Sequence, residues 1–312
     1  MRYTRLGRAG PAVSRMGLGS LALAGAYGHA DQHEAAGLIR RALDAGVTLV
    51  DTADFYAAGQ VERVVGRAVA GRAHEVVVCT RGGARVLGRT IDFDGRPEYL
   101  ERACESSLKR LDVESVGVYF LHCQDPRVPI EESMGALAAL VAAGKIRHIG
   151  LSGATAAQLR RAHAVHPVTA LAVEFSLWVR RANAALLAEA ERLGVGVLAA
   201  RPLGRGFLTG RISSAAVLGP HDWRHGDTRF LPERDVPALR RLEAAAAELD
   251  LGAGRLALGW LLAQDERVVP VPSTRDQVHL EMNLAATTVA LGRETRDELT
   301  GIFPDYSPSL LL

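Results

Sequence analysis

The sequence predicts an α/β protein, specifically a (β/α)8 TIM barrel, from three observations. Short apolar segments rich in β-branched residues alternate almost end to end with longer Ala- and Leu-rich segments of helical period. The short segments are apolar throughout, which is typical of parallel strands buried on both faces. There are eight of them, the number that closes a parallel barrel. We therefore expect residues 1–312 to form a single barrel domain, since a chain of 312 residues suits either one large barrel or two smaller domains.

The elements follow one another in regular order. Strands are predicted at residues 15–18, 48–51, 76–80, 117–121, 146–151, 170–175, 195–200 and 268–272. Helices are predicted at residues 33–45, 61–70, 97–111, 130–143, 156–164, 183–193, 236–249 and 255–263. Gly46, Gly144 and Gly194 stand at helix ends, where glycine readily takes the left-handed cap conformation.

Two segments depart from this repeat. Residues 1–14, with Gly10 and Pro11 at a turn, predict an N-terminal hairpin that closes the bottom of the barrel. Residues 202–237, after the seventh strand, form a loop too long to be a mere connection, so we expect a functional loop or lid. The main alternative fold is an open doubly wound sheet. The segments GLGSLA (17–22) and GRGFLT (204–209) both lack the third glycine of its GxGxxG motif.

Composition excludes several classes of protein. No apolar run reaches the roughly 18 residues of a membrane-spanning helix, and the first ten residues are polar and basic, so we expect neither membrane insertion nor export. The net charge is only +2 and the basic residues form no long run, which argues against a nucleic-acid partner. Cys79, Cys104 and Cys123 have no CxxC spacing and predict reduced thiols in a cytoplasmic protein. Assembly into homo-oligomers is left open.

Polar side chains stand where three successive strands end. Asp51 ends the second predicted strand and Tyr56 lies in the loop after it, while Arg81 and His122 follow the third and fourth strands. Because the carboxyl ends of barrel strands converge on one mouth, these four groups can face one cavity and form a proton-transfer set. Each alone also suits a helix cap or a buried polar residue. No metal site is expected at His122 and Cys123, because adjacent strand residues point in opposite directions.

Several segments of the chain resemble the aldo-keto reductase family, in its bacterial and plant branch that reduces small aldehydes and ketones. They are VDTADFY (50–56), YFLH (119–122), GKIRHIGLS (144–152), FSLW (175–178), PLGRGFLTG (202–210) and PSTR (272–275) followed by Asn283. The resemblance covers essentially the whole chain in order. It implies a (β/α)8 barrel that uses NADPH without a Rossmann fold, and a small-molecule carbonyl compound as substrate.

The resemblance also implies roles for individual residues. Tyr56 would be the general acid that protonates the carbonyl oxygen, His122 would orient that oxygen, and Asp51 would hold a cation beside the phenol, whose pKa a positive charge lowers. The implied reaction is reduction of an aldehyde or ketone, or the reverse oxidation of an alcohol. The implied cofactor-binding residues are Ser152, Pro202, Leu203, Gly204, Arg205, Gly206, Ser273, Thr274, Arg275 and Asn283.

The chain departs from the family pattern around the reacting end of the cofactor. The cation at the third strand is Arg81 where the family has lysine, and arginine does not give up its proton. Family side chains that contact the nicotinamide or adenine are replaced by Gly153, Ala172, Ala200, Arg201 and Met282. Two alternatives to a reductase therefore stay open. The barrel could perform proton chemistry without hydride transfer, such as elimination, isomerisation or cyclisation, or be an inert NADPH-binding sensor or subunit.

The sequence does not identify the substrate. Its pocket is expected to be shaped by loops at residues 21–29, 123–128 and 221–230. Trp223 and several basic residues in the last of these loops indicate a polar or anionic substrate.

Overall fold

The computed structural model describes residues 1–28, 30–87, 90–180, 184–219, 222–226 and 232–304. The strands are β1 (Tyr3–Arg5), β2 (Ala12–Ser14), β3 (Leu18–Gly19), β4 (Leu49–Asp51), β5 (Val77–Gly82), β6 (Ala84–Leu87), β7 (Thr90–Phe93), β8 (Val116–Leu121), β9 (Ile146–Ser152), β10 (Val168–Glu174), β11 (Gly196–Ala200) and β12 (Val268–Pro270). The α-helices are α1 (Gln32–Asp44), α2 (Gln60–Val69), α3 (Pro97–Leu111), α4 (Ile130–Ala142), α5 (Ala156–Val165), α6 (Ala184–Leu193), α7 (Val236–Glu248), α8 (Ala253–Leu262), α9 (Gln277–Ala285) and α10 (Arg293–Thr300). In these ranges, no helix combines the length and the apolar character that crossing a membrane requires.

Eight parallel strands form the barrel, and the predicted fold class is confirmed. Each strand pairs with the next in the order β3, β4, β5, β8, β9, β10, β11 and β12. The seam between the first and last strands is closed by backbone hydrogen bonds from Gly17 N to Pro270 O (2.9 Å) and from Gly19 N to Pro272 O (3.0 Å). Beyond them, Gly19 bridges to Ser273. The crossovers between the strands place helices on the outside of the sheet.

The N-terminal hairpin covers the bottom of the barrel, as predicted. Strands β1 and β2 pair antiparallel, and the turn between them carries Leu6, which is fully buried among the side chains that fill the barrel interior. Arg8 N donates to Gly194 O at 2.7 Å, which ties the hairpin to the loop before β11. Because the hairpin covers this end, we expect a ligand to enter at the opposite end, where the strands end.

Two apolar layers hold the barrel together. Inside it, side chains from several strands pack against one another, among them Leu49, Val118 and Leu198. Outside it, the inward faces of the helices cover the sheet, for example through Ile39 of α1 and Leu100 of α3. Burial of both faces explains why the strands are apolar throughout.

The structure corrects some predicted boundaries. The first strand is β3 rather than residues 15–18, because the backbone of Arg15 still pairs with the N-terminal hairpin, donating to Arg2 O at 2.9 Å. The hairpin β6–β7 and the helices α9 and α10 were not predicted. Short 3-10 turns occur in the predicted loop at 202–237. Positions 220, 221 and 227–231 of that loop, His29 of the first pocket loop and Asn183 of the predicted sixth helix lie outside the described residues.

Arg15 fastens the seam of the barrel and offers a test of the fold. Its buried guanidinium donates to Leu262 O at 2.6 Å and to Val268 O at 3.3 Å, and it also contacts the carbonyls of Asp265 and Glu266. Replacing it by methionine leaves several buried carbonyl oxygens without a donor. We expect Arg15→Met to lower the free energy of unfolding by about 2–4 kcal/mol, measured by urea denaturation.

Arg293→Met is the matched control, because Arg293 is exposed on α10. This variant should change the free energy of unfolding by less than about 0.5 kcal/mol. An equally small effect for Arg15→Met would show that the seam does not depend on this guanidinium.

Candidate active site

A cavity of 1270 Å³ opens at the carboxyl ends of the barrel strands. All four residues of the predicted proton-transfer set line it: Asp51, Tyr56, Arg81 and His122. The first three come from β4, the loop after it and β5, and His122 follows β8 directly. Because β4, β5 and β8 are consecutive neighbours in the sheet, their ends bring these side chains to one side of the mouth.

Asp51 and Arg81 form a buried ion pair. The guanidinium Nη2 of Arg81 donates to Oδ1 of Asp51, and only 4% of the Arg81 side chain is exposed. Its Cζ lies 5.3 Å from the centre of the Phe120 ring. Burial by itself would lower the pKa of Arg81, but the negative charge of Asp51 raises it above the ordinary value. The site therefore contains a permanent cation.

Tyr56 reaches the cavity from a tight turn after β4. The two residues that follow it, Ala57 and Ala58, have φ of 47° and 52°, a left-handed conformation that costs alanine energy. Burial raises the pKa of the Tyr56 phenol, and the charge of Arg81 lowers it by less than burial raises it. The expected lowering by the cation is thus present but outweighed, and the phenol is protonated at neutral pH.

His122 lies between two aromatic rings. Its imidazole is 5.0 Å from the Phe55 ring, edge to face, and 6.3 Å from the Phe93 ring, nearly parallel. Burial, together with the charges of Arg81 and Arg201, lowers the pKa of His122 to about 3. The imidazole is therefore neutral at physiological pH. Within the described part of the chain its Nδ1 has no hydrogen-bond partner.

The far end of the cavity is basic and holds most of the predicted cofactor-binding residues. Those that line it are Pro202, Leu203, Arg205, Gly206, Ser273, Thr274, Arg275 and Asn283. Arg275 is positioned by a hydrogen bond from Nη1 to Tyr27 O at 2.6 Å. Arg211 and Arg255 line the same end, and the sequence reasoning did not single them out. Guanidinium groups in this arrangement can bind phosphate.

Three of the predicted cofactor-binding residues, Ser152, Gly204 and Arg205, make contacts within the protein itself. Ser152 is buried, and its hydroxyl donates to His122 O at 2.6 Å, so it supports the backbone next to the imidazole. The Arg205 guanidinium is fully buried and donates to Glu174 Oε2 at 2.7 Å, which fixes the loop after β11. Gly204 has φ of 56° and packs against Trp178, where a Cβ would come within 2.9 Å of the ring.

Further lining residues come from segments whose role was not predicted. The hairpin β6–β7 contributes Phe93, which sets one wall beside His122. Tyr27 and Trp223 face each other with ring centres 6.2 Å apart, and Arg224 stacks over Tyr27 at 4.8 Å. The loops of Tyr27 and Trp223 were expected to shape the pocket. The hairpin carried no comparable sequence signal, because its strands are short and mixed in polarity.

Comparisons with known proteins identify the family of this chain. The profile of the aldo/keto reductase family matches residues 15–302. A probable aldo-keto reductase 1 of Glycine max is 36% identical over 311 residues, covering 96% of this chain and 88% of that protein. The glycerol dehydrogenase of Gluconobacter oxydans has a similar structure, with a TM-score of 0.85 and 27% identity over 96% of this chain and 94% of that one. An aldo-keto reductase of Klebsiella pneumoniae in complex with NADPH has a TM-score of 0.76 and 25% identity over 100% of this chain and 98% of that one. This chain belongs to the aldo/keto reductase family.

Proposed function

We propose that the protein reduces an aldehyde or ketone with NADPH, and oxidises the corresponding alcohol in reverse. The observation that carries the proposal is one continuous cavity with Tyr56, His122 and the Asp51–Arg81 pair at one end and Arg275 at its basic end. Membership of the family supports the reaction class. The NADPH bound by the Klebsiella pneumoniae relative supports the cofactor.

The basic end fits a phosphorylated dinucleotide. Ser273, Thr274 and the loop at 202–206 would hold the pyrophosphate, and Arg275 would pair with the 2′-phosphate. At the other end, the small side chain of Ala200 on the cavity wall leaves room for a flat ring. When bound there, reduced nicotinamide supplies the hydride that reduces a carbonyl carbon.

The chain's own residues supply the proton and the electrostatic stabilisation. The Tyr56 hydroxyl donates its proton to the carbonyl oxygen as that oxygen gains negative charge. The cation of Arg81 then stabilises the phenolate that remains. Neutral His122 donates a hydrogen bond to the same oxygen and so orients the carbonyl. The phenolate recovers its proton from water after the alcohol leaves.

Arginine in place of the family's lysine restricts how the proton can move. A guanidinium keeps its proton at any pH at which the protein is folded, so Arg81 acts only through its charge. The donated proton must then come from Tyr56 itself. This assignment makes the hydroxyl of Tyr56 indispensable to the reaction.

Removing that hydroxyl tests the assignment. We expect Tyr56→Phe to lower kcat for aldehyde reduction by about 100-fold or more, because general acid catalysis is lost. The dissociation constant for NADPH, measured by fluorescence titration, should stay within about twofold of the original value. Tyr3→Phe, in the exposed N-terminal hairpin, is the control and should leave kcat unchanged.

Two results would contradict this assignment. Unaltered turnover by Tyr56→Phe would show that the phenol is not the acid. Conversion of a carbonyl compound without consumption of NADPH would instead support the alternative of proton chemistry without hydride transfer.

The basic end predicts a preference between the two nicotinamide cofactors. Because Arg275 can pair with a 2′-phosphate, NADPH should bind at least about tenfold more tightly than NADH. Arg275→Gln should remove most of this preference by weakening NADPH alone. Arg293→Gln, an exposed arginine outside the cavity, is the control. Equal affinities for the two cofactors in the original protein would refute the assignment of Arg275.

A further inference from the structure

Arg201 stands in a strained position at the cavity wall. It directly follows β11 and has φ of 49°, a left-handed conformation that is unfavourable for a residue with a side chain. Its carbonyl accepts a hydrogen bond from Gly204 N at 2.9 Å, so the turn itself is tight. Glycine would suit this backbone better. An arginine in a strained backbone conformation at a cavity wall suggests that its side chain has a function there.

Arg201 and Arg205 both line the cavity, but only the Arg201 side chain is partly exposed there. The Arg201 side chain keeps 14% exposure, whereas the Arg205 side chain has none. Both donate to Oε2 of Glu174, Arg205 at 2.7 Å and Arg201 at the longer distance of 3.2 Å. Glu174 thus anchors both groups. Arg205 is enclosed by protein, and Arg201 remains where a ligand can contact it.

Arg201 lines the same cavity as Tyr56 and His122. Burial lowers the pKa of His122, and the positive charge of Arg201 lowers it further. Burial raises the pKa of Tyr56, and the charge of Arg201 opposes that rise. The Cζ of Arg201 lies 5.4 Å from the centre of the Trp223 ring, which holds the guanidinium plane against an aromatic wall. Tyr27 and Phe93 extend the aromatic surface of the pocket. A ligand whose carbonyl reaches Tyr56 therefore has a cation and flat apolar walls close to it.

We propose that Arg201 determines substrate specificity by binding a carboxylate, so that the substrate is a carbonyl compound that also carries a carboxylate group. This inference rests on the proposed reductase function. A guanidinium presents two parallel N–H donors that match the two oxygens of a carboxylate, and the charge-assisted hydrogen bonds are strong where water is scarce. The aromatic walls favour a flat group between the carbonyl and the carboxylate of the substrate.

The first test compares two aldehydes that differ only in charge, 4-carboxybenzaldehyde and its methyl ester. We expect kcat/KM for the acid to exceed that for the ester by about tenfold or more. Arg201→Gln should bring the ratio close to one, because it should lower kcat/KM for the acid far more than kcat/KM for the ester. Arg201→Lys should keep part of the preference, because it retains the charge but loses the paired donors.

The control for loss of a positive charge is Arg293→Gln, which should keep the preference of the original protein. Thermal unfolding would verify that the Arg201 variants are folded. A ratio near one in the original protein, or an unchanged ratio in folded Arg201→Gln, would overturn the proposal.

The second test measures binding without turnover or cofactor. Trp178 and Trp260 are each only 1% exposed, so quenching of tryptophan fluorescence by benzoate should report on Trp223 beside Arg201. We expect benzoate to quench the fluorescence saturably, neutral benzyl alcohol to have little effect, and Arg201→Gln to weaken benzoate binding about tenfold or more. Trp223→Phe should abolish the signal.

The two tests separate this inference from the proposed function. Benzoate binding that depends on Arg201 supports the carboxylate site even if neither aldehyde is reduced. In that case the reductase proposal fails, together with the assignment of the substrate as a carbonyl compound, and carboxylate binding by Arg201 stands. Reduction of both aldehydes at equal kcat/KM, without benzoate binding, would leave the reductase proposal standing and overturn the role of Arg201. Absence of both reduction and benzoate binding would overturn both proposals.

Discussion

The buried ion pair between Asp51 and Arg81 is the interaction on which the rest of the site depends. A charge buried to this degree is tolerated only when it is paired, and removal of one partner leaves the other charge uncompensated. The barrel makes the pair because β4 and β5 are neighbours, and both residues stand near the carboxyl ends of their strands. The seam closes the barrel and the N-terminal hairpin covers its bottom. We therefore expect a ligand to reach these charges through the mouth of the barrel.

Two opposing effects set the properties of Tyr56. Burial disfavours the phenolate, whereas the guanidinium of Arg81 favours it, and burial is the larger effect in the protein without ligand. A phenol of this kind stays protonated until charge develops on a neighbouring oxygen. His122 follows the same logic, because burial and nearby cations keep its imidazole neutral and able to donate a hydrogen bond. Both groups are therefore in the protonation states that a proton donor and an orienting donor require.

The barrel could be predicted from the sequence, because burial on both faces makes the strands apolar. The convergence of Asp51, Tyr56, Arg81 and His122 on one cavity could also be predicted, because polar residues at the ends of apolar strands are conspicuous. The directions of individual side chains could not be predicted from the sequence. The family resemblance implies cofactor contacts for Ser152 and Arg205, yet the Ser152 hydroxyl donates to His122 O and the Arg205 guanidinium donates to Glu174. The pKa of Tyr56 also depends on burial, which sequence spacing does not give. The hairpin β6–β7 was not predicted, because its two short strands have no continuous apolar pattern.

The most direct test of the account removes the cation without leaving a buried charge alone. The double substitution Asp51→Asn with Arg81→Met replaces the ion pair by neutral groups, an exchange that folded proteins often tolerate. The measurement is kcat for aldehyde reduction at saturating NADPH, on protein whose thermal unfolding midpoint is close to the original. The account predicts that kcat falls about 100-fold or more, because the phenolate of Tyr56 loses its stabilising charge. An unchanged kcat in this folded variant would contradict it.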